Sequence, residues 1–393
     1  MGKWEMVRLG EVGTIITGST PKTSNENNYS SDDLSFFKPG DINENRVNLL
    51  STSENYVSEY ARPQCRVFPS QSILVTCIGI IGKIGITTKE STCNQQINAI
   101  IPNKNICSTR FLAYAISQKK ADMNHIANAA VVPIINKSQF CNIDIPLPPL
   151  DVQRKIADVL DFANNLIEKR KAQIENLDLL VKSQFMIEFG KCDSEANLSD
   201  YVWFQEGPGV RTIDFTIEGT ILLTGSNINK NQINFGSKRD RYISYELANG
   251  KYKHFMCDKG DILVVSSAID PDKFGSKVVI VHEDKRYCLN TGIIRFKPNS
   301  EYLTIAYFRE FLKTNFFKSQ VMNSMRGIAQ MHFGPSHLNT MKIIVPSSIE
   351  QQTQFSDFVS QVEAQKSRLQ QSLTKLEENY KSLMQKCFRG EIF

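Results

Sequence analysis

The chain has no Cys-x-x-Cys pair and no His-Glu-x-x-His, which excludes the common cysteine and histidine zinc sites. Its nine cysteines (65, 77, 93, 107, 141, 192, 257, 288 and 387) are odd in number and scattered, a pattern of reduced thiols. Among the five histidines, His332 and His337 stand five apart, the wrong spacing for one helical face, and read as turn or surface residues. No apolar run approaches the roughly 18 residues that span a bilayer, so no membrane role is expected. Met1-Gly-Lys-Trp-Glu5 lacks an apolar signal core, and the expected location is the cytoplasm. Strong charge is missing too. The net +5 divides into +2 for residues 1–149 and +3 for 193–346, with balanced segments between. That excess permits a polyanionic partner without demanding one. What remains is a globular composition, 41% hydrophobic and 22% charged, in 393 residues, enough for two or three domains.

The chain also repeats itself. Asp41-Ile-Asn-Glu-Asn-Arg-Val-Asn48 aligns with Asn227-Ile-Asn-Lys-Asn-Gln-Ile-Asn234, and Ser72-Ile-Leu-Val-Thr76 with Asp261-Ile-Leu-Val-Val265. Lys83 then meets Lys277, and Asn94 meets Asn290, as the offset drifts from 186 to 196 through loop insertions. This period is far longer than that of a solenoid. Each half opens with short Val/Ile/Thr/Phe runs punctuated by Gly, Asn and Pro, which read as strands and turns. The clearest hairpin joins 67–76 to 84–88 through a glycine turn, and helices are predicted at 109–120 and 303–314. Both blocks therefore read as α+β domains, 1–149 and 193–346.

Each half closes in another texture, at 150–192 and 347–393. Apolar residues alternate in steps of four and three at Ile156, Leu160, Ala163, Ile167, Ile174, Leu177 and Val181. The series returns at Phe355, Val359, Val362, Leu369, Leu373, Leu376, Tyr380, Leu383 and Cys387, offset by 199. Such spacing over more than four heptads is that of a coiled-coil helix. Arg170 and Lys366 occupy seam positions and either set register or turn outward. Prolines precede both helices, where a missing N–H costs nothing.

Connectivity gives the direction. Each helix of some 33 residues is about 50 Å long. The second domain leaves the end of one helix and feeds the start of the next, so parallel helices would oblige it to bridge that length. Antiparallel pairing removes the difficulty. The expected fold is two similar domains held apart by an antiparallel coiled coil, with a pseudo-two-fold axis across the rod. Duplex DNA suits that symmetry, because readers on one face sit about 34–36 Å apart.

At this point the chain resembles a family, the specificity subunits of type I restriction–modification systems. The likeness rests on Trp4-Glu-Met-Val-Arg-Leu-Gly-Glu-Val-Gly13, Gly18-Ser-Thr-Pro21, Leu147-Pro-Pro-Leu-Asp-Val-Gln153 with Ile156-Ala-Asp-Val-Leu160, and Arg389-Gly-Glu-Ile-Phe393. The second half departs from the pattern, with Val345-Pro-Ser-Ser-Ile-Glu-Gln351-Gln352 at its step and Glu206-Gly-Pro-Gly-Val-Arg211 at its entry. The resemblance implies two target recognition domains, each binding half of a split, asymmetric site on double-stranded DNA, with the rod setting the unread gap. It implies two methyltransferase subunits docked on the helices and bringing S-adenosylmethionine. Restriction subunits would join them, with ATP and Mg²⁺ also expected on partner subunits. This chain would hold no cofactor and catalyse nothing.

Contact candidates are polar loop residues, where Asn/Gln match adenine, Arg/Lys guanine, and Ser/Thr phosphate or base. In the first domain they are Thr20, Lys22, Lys38, Asn43, Lys83, Asn94, Gln95 and Asn128. In the second they are Arg211, Asn229, Lys273, Lys277, Asn290, Thr291, Arg326 and Gln330, with Arg326 foremost.

Enzyme alternatives rest on the same residues. A methyltransferase needs a glycine-rich cofactor loop and an Asn/Asp-Pro-Pro-Tyr/Phe turn, and the sequence has neither. Gly79-Ile-Ile-Gly-Lys-Ile84 fails the phosphate-loop spacing and reads as a hairpin turn, with Lys83 and Lys277 expected to contact backbone phosphate. Asp272, Glu283 and Lys285 match the spacing of Mg²⁺-dependent nucleases, against a bland reading as a charged hairpin end. A coiled-coil adaptor without nucleic acid is the remaining alternative.

Overall fold

A branched, apolar run without polar alternation, such as Ile73–Thr76, suits a strand covered on both faces. In the computed structural model, which describes residues 4–44, 46–127, 132–229, 231–267, 277–325 and 332–393, it is the buried centre of a five-stranded sheet. The order is Gly13–Thr17, Ile97–Pro102, Ile73–Thr76, Ile84–Thr87 and Val47–Leu50, antiparallel except for the last pair. The expected hairpin forms, with Val75 opposite Ile84. Its turn closes on itself: the Gly82 amide donates to the Thr76 carbonyl at 2.9 Å and the Lys83 amide to Thr76 Oγ1 at 3.0 Å. A smaller sheet places Leu34–Phe37 between antiparallel Tyr56–Val57 and parallel Ser91–Cys93. Helix Thr109–Gln118 presses Phe111, Leu112 and Ala115 into the core formed by Ile73, Val75, Ile84 and Ile86.

The chain divides into two compact units, residues 1–171 with 372–393, and residues 172–371. The second is built in the same order as the first. Its larger sheet runs Val202–Glu206, Ile293–Pro298, Ile262–Val265, Val278–Ile280. Its other sheet pairs Thr220–Leu223 in parallel with Tyr287–Leu289, as Leu34–Phe37 pairs with Ser91–Cys93. The helix predicted at 303–314 forms over Ile305–Phe311, and a second helix, Asn315–Ser324, follows it. The Thr314 hydroxyl accepts from the Phe317 amide and caps a fresh start.

The long helices span Leu150–Phe189 and Ile349–Arg389. Within the first unit, Ile156 and Leu160 share a core with Met384 and Cys387, while Lys171 pairs with Glu377 at 3.5 Å. As one residue number rises the other falls, so these segments run antiparallel. The second unit repeats this: Asp178 pairs with Lys366, and Phe185 and Phe189 pack on Phe355 at 5.7 and 5.5 Å. Lys366 in its seam slot thus carries a cross-helix ion pair, which favours one register. Ile156, Leu160, Ile167, Val181, Phe355, Val359, Val362 and Cys387 are buried. Ala163, Ile174, Leu177, Leu369, Leu373, Leu376, Tyr380 and Leu383 are half-buried, as on two helices without a third layer.

A charged network belongs to the second unit. Arg295 is 4% exposed and donates to Asp261, the carbonyls of Met256 and His254, and Gln205. Nearby, hydrogen bonds from Lys285 and Lys297 pull the Asp258 carboxyl down to about 2 from an ordinary 3.8. A folded-state value below the unfolded one stabilises the fold above the unfolded pKa and loses that contribution as pH falls. The melting-temperature advantage of the natural protein over Asp258→Asn is therefore expected to be present at pH 7 and to shrink between pH 4 and pH 2. An advantage constant over that window would refute the assignment.

Candidate nucleic-acid interface

Strand register gathers loops at one edge of each larger sheet. Thr17 pairs with Asn98 and Thr76 with Ile97, so the loop after Thr17 and the turns at 77–83 and 93–96 lie together. Glu206 pairs with Ile294 and Val265 with Ile293, which brings the loop after Glu206 beside the turn at 290–292 in the second unit. Two glycines explain how the loops pack. A Cβ on Gly18 would stand 2.1 Å from the Asn94 carbonyl oxygen, and one on Gly207 2.2 Å from that of Asn290. Their amides donate to Ile97 and Ile293, each at 3.0 Å. The departure from Gly-x-Thr-Pro in the second half therefore keeps the one glycine that geometry requires.

On the first edge, exposed Thr20 and Gln95 are brought together by a 2.6 Å hydrogen bond between their side chains. Lys22 is exposed, and its carbonyl accepts from buried Asn28. Asn43 is exposed, its backbone bridged on both sides by Asn48. Lys38 is half-buried and donates to Asn55 Oδ1 at 2.7 Å. Asn94, expected to face DNA, is instead 8% exposed, with its amide on Gln96, and it shapes the turn that displays Gln95. On the second edge Arg211, Asn229 and Thr291 are exposed and Asn290 is half-buried. Asn128, Lys273, Arg326 and Gln330 lie outside the described residues.

Lys83 and Lys277, expected to contact backbone phosphate, have matching work inside the fold. The Lys83 ammonium donates to the Pro39 carbonyl at 2.9 Å; that of Lys277 donates to Gly225 at 3.3 Å and Ile228 at 2.8 Å. Both pin the same repeated loop, the one carrying Asn43 or Asn229. Sequence spacing gave no sign of this, because a lysine ahead of a strand reads alike whether its head meets solvent or a carbonyl.

Other features lay beyond the sequence reading. Glu206 and His332 meet at 3.2 Å across 126 positions of chain. Phe162 and Leu166 are 67% and 39% exposed on a groove of about 600 Å³ completed by Leu376, Tyr380 and Leu383. In the second unit Leu179 and Met186 border a cavity of about 500 Å³ with Phe185, Phe189 and Phe311. Apolar residues off the four–three seam were the available signal for these faces. As for the nuclease spacing, Asp272 lies outside the described residues, Glu283 pairs with Arg286, and Lys285 pairs with Asp258. No cluster of three or more metal-ligating side chains occurs among the described residues. No described helix is long and apolar enough to cross a membrane.

Two repeated α+β units, each clasping segments of two long antiparallel helices, define the class. The chain belongs to the type I restriction modification DNA specificity domain family, which matches it twice, over residues 1–176 and 208–378. It is 32% identical to the HindI specificity subunit of Haemophilus influenzae over 44% of this chain and 39% of that one. It is 30% identical to the MjaIX specificity subunit of Methanocaldococcus jannaschii over 46% and 43%. Each match thus spans about two-fifths of the relative's length. The MjaVIII specificity subunit of the same archaeon matches at 23% over 88% and 83%. The crystal structure of the type I S subunit from M. genitalium superposes with a TM-score of 0.55 at 15% identity, covering 98% of this chain and 96% of that one. A chain from a study of assembly and conformational transition in a type I system gives 0.58 at 16%, covering 100% and 98%. These two likenesses establish the fold.

Proposed function

We propose that this chain addresses a type I restriction–modification complex to a bipartite, asymmetric DNA site, one half read by each unit, with the helices setting the unread gap. The observation that carries the reading is a duplicated scaffold with unlike side chains at its edge. The glycine approach, the lysine-pinned loop and the strand order recur, yet Thr17 with Asn98 in one unit becomes Glu206 with Ile294 in the other. One frame with two different rims suits two different half-sites. The exposed apolar faces around Phe162 and Met186 suit methyltransferase subunits, which would bring S-adenosylmethionine; restriction subunits would bring ATP and Mg²⁺ chemistry. The chain itself would be non-catalytic and act in the cytoplasm.

Mapping methylated bases in a host carrying the intact system tests this. The expected result is two short, dissimilar base runs separated by one fixed gap, absent when this gene is deleted. A continuous motif, or modification that survives the deletion, would refute it. The adaptor alternative separates by salt: each phosphate neutralised contributes a slope of about −0.9 in log K against log salt, whereas an adaptor shows none.

A further inference from the structure

Each domain meets its long helix at a buried glutamine. Gln153 is fully buried; its Oε1 accepts from the Ser108 amide at 2.8 Å, and its Nε2 donates to the carbonyls of Ile106 at 2.9 Å and Pro148 at 2.8 Å. Gln352, equally buried, accepts from the Thr304 amide at 3.0 Å and donates to the Tyr302 carbonyl at 2.9 Å. The partners correspond at the repeat offset of 196. Gln352, and not its neighbour Gln351, is therefore the counterpart of the glutamine in the first step.

A ring contact recurs as well, Phe111 on Phe388 at 5.4 Å and Tyr307 on Phe189 at 4.9 Å, but among the described residues the domain-to-helix ion pairs do not. Arg110 reaches Asp158 and Asp161 in the first unit, while Arg309 reaches Glu363 in the second. Ala306 stands at the repeat position of Arg110, and Ala113 at that of Arg309. Arg110 is 45% exposed, and such surface pairs constrain geometry weakly. A buried amide with both ends satisfied by backbone is different, because rotating the domain breaks its bonds where no water replaces them.

We infer that Gln153 and Gln352 are positioning residues for gap length: each holds its domain at one angle on its helix, so that only one separation of half-sites is accepted. This rests on the function proposed above. One extra base pair moves a half-site by about 3.4 Å and turns it by roughly 35° about the duplex axis. A fixed mount cannot follow that turn, and a swivelling one can.

The test maps modified sites in hosts carrying the intact system with Gln153→Leu or Gln352→Leu, with Arg154→Ala on the exposed helix face as control. Thermal melting of each purified variant monitors folding. The expected result is unchanged half-sites, with sites whose gap is one base pair longer or shorter modified roughly tenfold more often than by the natural protein, about 1.4 kcal/mol of lost discrimination. Gln153→Glu keeps the acceptor for the Ser108 amide and loses only the donors, so it carries the test if a leucine variant fails to fold. Folded glutamine variants that keep the single gap would overturn the inference while leaving the proposed function standing. A natural protein with no bipartite motif would overturn the function itself.

Discussion

Arg295→Ala is expected to destabilise the second unit by about 3–5 kcal/mol, the usual cost of leaving a buried charge without its partner. Asp261 is 2% exposed and would keep the Asp258 amide at 2.7 Å but, of its cationic partners, only the longer contact from Lys297 at 3.4 Å. Carbonyls of Met256 and His254 and the amide of Gln205 would lose their donor as well. The position lies in Ile293–Pro298, the strand that follows the turn of Asn290 and Thr291, so reading of the second half-site should fail while the first unit stays folded. The repeat supplies the control. Positions 295 and 261 correspond to Ala99 and Ser72, where the first unit has no charge. Arg295→Ala with Asp261→Ser transplants that pair, removes the orphaned carboxylate and should recover much of the loss. Denaturant titration of the three proteins decides; a single variant within about 1 kcal/mol of the natural chain would end the account.

Inserting one heptad at matched positions in both long helices is expected to move modification from the original gap to one that is one to three base pairs longer, with both half-sites intact. Seven residues add about 10.5 Å, equivalent to about three base pairs. Seven also preserves the four–three seam, so Leu369 and Leu373 keep their face. Five residues would turn the following segment by about 140° and expose that seam, and modification should fall to background. Methylation mapping distinguishes the outcomes. A heptad insertion that leaves the gap unchanged would show that the helices are not its measure.

The elements legible in the chain are those written in local pattern. The seam from Ile156 to Val181 and its return from Phe355 are periodic, and the structure makes both into continuous helices. The repeated Ile-Leu-Val strand is apolar throughout and is buried in both units. Contact residues depend on bonding that local pattern does not carry. Asn94 looked like a loop-tip reader and proved to be the brace beneath one, since a turn needs an inward amide as much as an outward one. Lys83 and Lys277, read as phosphate ligands, donate to backbone carbonyls that pin loops.

By itself the sequence determined the duplication, the α+β blocks and the long helices, because periodicity and strand composition act between near neighbours and survive without knowledge of the fold. The tertiary structure alone decided which polar groups are bound: Glu206 with His332, Arg295 with Asp261, and Gln352 with Tyr302. A hydrogen bond depends on a few ångströms between groups that lie 34 to 126 positions apart in the chain, and that separation is set only when the strands have paired.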